Sequence, residues 1–190
     1  SSENFLQPGQ SIVTLAHLFK QYLGTSLKTT LERLPSDKKR IAYLAEATTD
    51  ITGLKAFPQY LTILFEIDSL ILNDDRHLNN IAVIEQKGTF DYCPIFDQGA
   101  GLLSNTQISR MDIAPRALAS ALRARPFNTT FNRQVKAIQG LYGQQLHIQR
   151  FTSNELIEML QPLLLYYPSR DRGIITERVC ETVLSRQKLF

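Results

Sequence analysis

The stretch "ILNDDRHLNNIAVIEQKGTFDYCPIFDQGAGLL", residues 71–103, sets many polar side chains between a long apolar run and a pair of short ones. Asn73, Asp74, Asp75, Arg76, His77, Asn79 and Asn80 come within eight positions. The runs "IAVIE" (81–85) and "YCPIF" (92–96) predict two strands, and "QKGTFD" between them carries the glycine of a hairpin turn. Pro94 predicts a second strand that is short or lies at an edge. Antiparallel strands of matched length return to their starting end. Asp97 is therefore expected beside Asn80, with Asp75 facing the same space from a turn away.

Upstream, "QYLTILFEIDSLIL" (59–72) is apolar nearly all round, which predicts a buried central helix with Pro58 as its first residue. Asp68 lies inside that helix and needs a polar partner. Backbone amides of the 73–80 loop are the expected partners. Arg76 is open to a salt bridge with Glu66 or Asp68, or to a substrate contact. "SIVTLAHLFKQYLG" (11–24) predicts a helix capped by Ser11 and stopped by Gly24, with Ile12, Leu15, Phe19, Tyr22 and Leu23 on one face. A shorter helix in "TSLKTTLERL" ends before Pro35. The next runs from cap Ser36 to Gly53, with Ile41, Leu44 and Ala45 inward. From Ala114 onward helical patterns return in "PRALASALRA", "TFNRQVKAIQGLY", the Ser153-capped "NELIEMLQPLLLYY" and "RGIITERVCETVLSRQ". The expectation is a mainly α single domain, residues 1–190, with one small hairpin near its middle.

The 190 residues suffice for one substantial core, and 43% hydrophobic with 21% charged residues is ordinary for a globular chain. A net charge of +3 is too mild to imply a nucleic-acid or membrane partner. Residues 98–150 are locally basic, with seven Arg and Lys against Asp112 alone. That segment reads equally as a solvated face or as a platform for an acidic partner. It lacks the aromatic interleaving of a nucleic-acid surface, so nucleic acid enters only indirectly if at all. Cys93 and Cys180 both sit in apolar patterns, as buried thiols of a reducing compartment do. No run approaches the ~20 apolar residues of a membrane span, and "SSENFLQPGQ" lacks the regions of a signal peptide. The expected location is cytoplasmic.

Asx residues gather in turns because their side chains bond the local backbone, so "NDD" alone reads as a helix-to-strand turn. Asn80 and Asp97 add a different chemistry. An amide oxygen beside a carboxylate is a hard-oxygen pair suited to Mg²⁺, which takes a few protein ligands together with phosphate and water. A carboxylate at Asp75 could orient an attacking hydroxyl or accept its proton. His77 has no histidine neighbour in sequence, His17 and His147 being distant, so there is no zinc pattern, and a buried, hydrogen-bonding histidine is expected. The three groups suit phosphoryl transfer, in which positioning and charge neutralisation supply most of the catalysis.

An Asp, an Asn five residues later, and a hairpin ending in Asp-x-Gly resemble the catalytic core of the protein-kinase-like fold. "DRHLNN" (75–80) is similar to the Asp-Arg-His-x-x-Asn order of phosphoinositide kinases. The runs "FEIDSLILNDDRHLNNIAVI" and "PIFDQGAGLL" resemble HipA-type bacterial Ser/Thr kinases more closely. The resemblance covers residues 60–104. It implies a helical C-lobe with a catalytic loop at 73–80, a hairpin at 81–96 and Asp-Gln-Gly at 97–99. It also implies Asp75 as the catalytic aspartate, Asn73 and His77 as loop-shaping members of the catalytic set, and Asn80 and Asp97 as the Mg²⁺ and ATP-binding residues. The implied partners are a protein substrate, and an antitoxin if the parent is a toxin kinase. No glycine-rich phosphate loop or strand lysine is legible before residue 60, so the N-lobe is expected to be absent and to come from elsewhere, leaving the isolated lobe inactive. Two alternatives stand beside this one: a non-catalytic binding module derived from such a lobe, and a phosphoinositide-type lipid kinase.

Overall fold

The computed structural model describes residues 5–107 and 109–190. The fold is mainly α, with eight α-helices among those residues and a small antiparallel sheet. Helix α3 (Asp37–Thr52) begins where the Ser36 hydroxyl accepts from the Lys39 N–H and ends where Gly53 turns left-handed at φ 74. Its inward residues Ile41, Leu44 and Ala45 are fully buried. Helix α4 (Phe57–Ile71) carries Pro58 one position later than the sequence predicts. The ring has no N–H to leave unpaired at either of those positions. Phe57, Leu61, Leu64 and Phe65 of α4 lie at the centre of the main core, together with Leu15, Leu18 and Phe19.

The N-terminal stretch differs from its predicted form. Residues Ser11–Thr14 are a strand, β1, and the helix α1 starts only at Leu15 and runs to Leu23. Thr14, not Ser11, is the cap, accepting from the His17 N–H. Ile12, Tyr22 and Leu23 are exposed; Leu15, Leu18 and Phe19 supply the buried face. Ile12, Val13 and Thr14 are β-branched, and their backbone completes a ladder with a strand seventy residues on. Helical periodicity cannot register a pairing of that range.

That partner is β2 (Ala82–Gln86), which pairs antiparallel with β1 from Ser11↔Glu85 to Thr14↔Ala82. On its other side lies β3 (Thr89–Tyr92), in register from Gln86↔Thr89 to Val83↔Tyr92. The hairpin is therefore tighter than 81–96, and the sheet that holds it is one strand larger than predicted. Lys87 and Gly88 make the turn with both φ positive, the two-residue form that matches strand twist. Cys93–Phe96 run on without strand pairing, Pro94 having no N–H to donate.

Helix α2 (Leu27–Arg33) packs on α1, and α6 (Phe131–Tyr142) covers α3 and α4. Between α5 (Pro115–Ala121) and α6 a second hairpin, β4 (Arg123–Ala124) with β5 (Thr129–Thr130), turns through a cis Arg125–Pro126 bond. Helices α7 (Ser153–Leu164) and α8 (Ser169–Arg186) close the chain. Thr152 caps α7 in a reciprocal box with Glu155, one residue before the predicted Ser153. Among the described residues no helix is long and apolar enough to cross a membrane.

Candidate active site

Everything in the 73–80 loop hangs from one buried ion pair. Arg76 is 1% exposed, and its guanidinium meets the Asp68 carboxylate with two bonds, Nε to Oδ2 at 2.7 Å and Nη2 to Oδ1 at 2.9 Å. The Asn73 amide donates to the same Asp68 Oδ1 at 2.8 Å. Asp68 is thus satisfied by two side chains; the backbone amides expected from the sequence are not its partners. Of the three roles open to Arg76, the salt bridge to Asp68 is the one found. Burial pushes the Asp68 carboxyl up, against the opposing pull of Arg76 and Asn73. Glu66, two residues earlier, points elsewhere and accepts from Gln139 Nε2 and from the N–H groups of Gln145 and Leu146.

The remaining donor of Arg76 ties two segments together. Nη1 donates to the carbonyl of Asn80 at 2.8 Å and to that of Phe96 at 2.6 Å. One fixed guanidinium therefore sets the position of the residue before Asp97 and of Asn80 itself. The outcome is a direct contact: Asn80 Nδ2 lies 2.5 Å from Asp97 Oδ2. Matched strands alone do not bring this about, because the paired register ends at Val83 and Tyr92. Asn80 sits in a 3₁₀ turn (Leu78–Asn80) and Asp97 in the following loop, so neither stands on the hairpin. Asp97 holds φ 57, a left-handed conformation that costs a side-chain-bearing residue energy and tends to persist where geometry is over-determined.

Beyond Asp97 the chain folds back onto the end of α4. Leu102 N–H bonds the Ile71 carbonyl, and Gly101 lies so close that an added Cβ would meet Ile71 Cδ1 at 3.0 Å and the Gln98 carbonyl at 3.1 Å. Glycine is required there by close approach.

Asp75 lies at the rim, about half exposed. Its carbonyl accepts from Asn80 Nδ2 at 3.3 Å. Its carboxylate is 3.2 Å from Arg125 Nη1, reaching over from β4. Arg125 is also bound through its backbone, N–H to the Asp74 carbonyl at 3.1 Å. Asp74 beside it has a carboxyl pushed up by burial, its own backbone bond opposing and the Asp75 charge adding. His77 N–H closes the turn onto the Asp75 carbonyl at 2.7 Å, and the His77 carbonyl accepts from Asn80 N–H at 2.8 Å. Its side chain is only partly buried, and Nδ1 has no hydrogen-bond partner, unlike the bonded histidine expected from the sequence. Asn73, wholly buried, donates to Asp68 and to the Asp97 carbonyl at 3.3 Å while its Oδ1 accepts nothing.

The structure thus gathers Asn73, Asp75, His77, Asn80 and Asp97 around one loop. Sequence reasoning named all five but missed Arg125. Its only signal was membership in a basic stretch, and a two-residue strand gives no periodicity to place it. As a donor set for Mg²⁺, Asn80 and Asp97 fit in kind, since a carboxylate and a carboxamide both offer hard oxygen. The Asn80 atom facing Asp97 is the amide Nδ2, however, so a shared cation requires that amide to turn its Oδ1 toward the carboxylate. These donors are only two, and among the described residues no three His, Cys, Asp or Glu side chains gather into a metal-binding group. Any cation held there needs its other ligands from water or from phosphate oxygens.

A cavity of about 1010 Å³ opens beside the loop, walled by α1 and α2, by His77–Asn79 and by the Arg125–Asn128 turn. No protein-family model, curated protein or solved structure matches the chain.

Proposed function

We propose that this chain is the catalytic lobe of a HipA-like kinase, transferring the terminal phosphoryl group of ATP to a Ser or Thr hydroxyl of a protein. The observation that supports it is the Asn80–Asp97 contact at 2.5 Å, with Asp75 bound to the same amide through its carbonyl. In this reading Asn80 and Asp97 hold Mg²⁺, which would neutralise charge on the phosphate oxygens. Asp75 orients the acceptor hydroxyl and takes its proton as the new oxygen–phosphorus bond forms and the bond to the bridging oxygen of ADP breaks. Arg76 holds Asn80 through that residue's own carbonyl and Asp97 through the carbonyl of the preceding Phe96, and Arg125 rests against the Asp75 side chain at 3.2 Å. Asn73 and His77 shape the turn.

Residues 1–59 contain Gly9, Gly24 and Gly53, each alone, which fits no phosphate-covering loop. By itself the lobe lacks charge-assisted contacts worth on the order of 1.5–3 kcal/mol each. Its affinity for Mg·ATP is then expected to be millimolar or weaker, since each 1.4 kcal/mol is about tenfold. Transfer requires a lysine-bearing β-rich lobe, from adjoining sequence or from a second chain. In that complete protein, labelled-ATP transfer to a protein acceptor should be abolished by Asp75→Ala with nucleotide binding largely kept. Asp97→Ala should also weaken Mg²⁺-dependent nucleotide binding. Transfer to lipid alone would favour phosphoinositide chemistry. Full transfer by Asp75→Ala would refute the assignment, as would micromolar Mg·ATP binding by the 190 residues.

A further inference from the structure

The cavity beside the catalytic loop has a definite charge. Lys20 of α1, Lys28 of α2, Arg40 of α3 and Arg125 just beyond β4 all line it. Arg40 is committed inside the chain, donating to the Leu31 carbonyl at 3.0 Å and to Asp37 at 3.2 Å. The other three cations are largely exposed. Glu32, the one acid in the wall, is 3.9 Å from Lys28 in an exposed pair of little strength. His77 also lines the space; its Nδ1 is buried and has no hydrogen-bond partner among the described residues.

The position matters as much as the charge. Arg125 lines the cavity and at the same time touches Asp75 at 3.2 Å. The cavity therefore begins one guanidinium away from the carboxylate assigned to the acceptor hydroxyl. Whatever flanks that hydroxyl in an extended chain runs into a space edged by Lys20, Lys28 and Arg125. The aromatic ring in the wall, Phe127, is 7% exposed and packs edge-on against Phe65, leaving no platform on which a nucleobase could stack.

We infer that this cavity is the acceptor-docking site and that it selects an acidic polypeptide segment, one with Glu or Asp flanking the Ser or Thr that is modified. The inference rests on the phosphoryl-transfer reading for its acceptor, and on cavity charge for its selectivity. Arg125 then has two alternative partners. With the site free it pairs with Asp75; with an acidic segment in place it turns to a substrate carboxylate and releases Asp75 to the hydroxyl. Electrostatic matching of this kind sets partner choice and encounter rate more than raw affinity.

The test reads binding without nucleotide. A fluorescein-labelled peptide carrying a serine flanked by glutamates is titrated with the chain at low salt, by fluorescence anisotropy. The same peptide with lysines for glutamates, and a single-stranded RNA oligonucleotide, run in parallel. The acidic peptide should bind and the basic one should not, and Lys20→Glu with Lys28→Glu should weaken the acidic peptide about tenfold or more through charge reversal. Both lysines are exposed, so the thermal melt of the double variant should overlay the unmodified chain's. Should it not, Arg125→Gln decides by the same comparison. Equal binding of both peptides, unchanged binding by the variants, or tighter binding of RNA than of the acidic peptide would each overturn the inference. Peptide binding by the chain, with no transfer once a lysine-bearing lobe is supplied, would sink the kinase reading and leave the docking surface standing. Transfer without acidic selectivity would do the reverse.

Discussion

Helix α4 and helix α7 are both rich in leucine, and they meet opposite fates. In α4 the residues Phe57, Leu61, Leu64 and Phe65 are buried, and the helix lies among α3, α6 and α8. In α7 only Leu156 is buried, while Met159 and Leu163 stand exposed, as do Leu165, Tyr166 and Tyr167 just beyond. The C-terminal pair shares only a small apolar cluster, Leu156, Cys180 and Val183, and is attached further by polar tethers. Arg178 of α8 donates to the carbonyls of Ser109 and Arg110. Arg186 donates to the Ser69 carbonyl at 2.8 Å, to the Ser69 hydroxyl, and to Asn132 Oδ1 at 2.7 Å. It meets no carboxylate there, and burial lowers its guanidinium to about 10. Arg76, by contrast, has Asp68. The difference shows where the fold invests rigidity: the dense core and the paired charge lie beneath the candidate site, and the looser, hydrogen-bonded attachment joins the C-terminal helices to that core.

The largest effect should come from the pair beneath the site. Arg76→Ala leaves Asp68 buried without a cation and frees the carbonyls of Asn80 and Phe96, a loss of about 3–5 kcal/mol in denaturant unfolding. If Arg76→Ala cost no more than an exposed ion pair, the site would not be anchored as described. A second substitution pair sharpens the regional contrast. Leu61→Ala, at 0% exposure in α4, should cost about 2–5 kcal/mol, whereas Leu165→Ala, at 70% exposure, should fall within about 0.5 kcal/mol. Comparable losses at the two positions would mean that the C-terminal face is covered in solution.

Much of this regional difference was legible in the sequence, and the reasons for the misses are specific. Helix α3 could be read from Ser36 to Gly53 because both caps are local signals. Helix α4 was legible because an apolar residue on every side leaves no solvent face. The approach of Asp97 to Asn80 was expected from a hairpin whose length could be counted, but the Arg76 bonds that bring the two together past the end of the paired register carry no local signal. Three features were not legible. β1 exists only through pairing with β2, and Ile12 happens to continue the helical spacing of Leu15 and Phe19. The β4–β5 hairpin is two residues on each side, too short for any period. The Asp75–Arg125 contact joins positions fifty apart with no pattern linking them. In each case the deciding interaction is long-range, and local propensity carries no information about it.

The central claim is that Asn80 and Asp97 form a site for a divalent cation next to Asp75, and Mn²⁺ titration of the isotopically labelled chain tests it most directly. Substoichiometric Mn²⁺ should broaden the backbone amide signals of residues 73–80 and 96–98 before those of other exposed acids such as Asp50 and Asp91. Asp97→Ala should remove that preference while leaving the rest of the spectrum in place. Broadening centred on the exposed acids, or a pattern that Asp97→Ala does not change, would contradict the account.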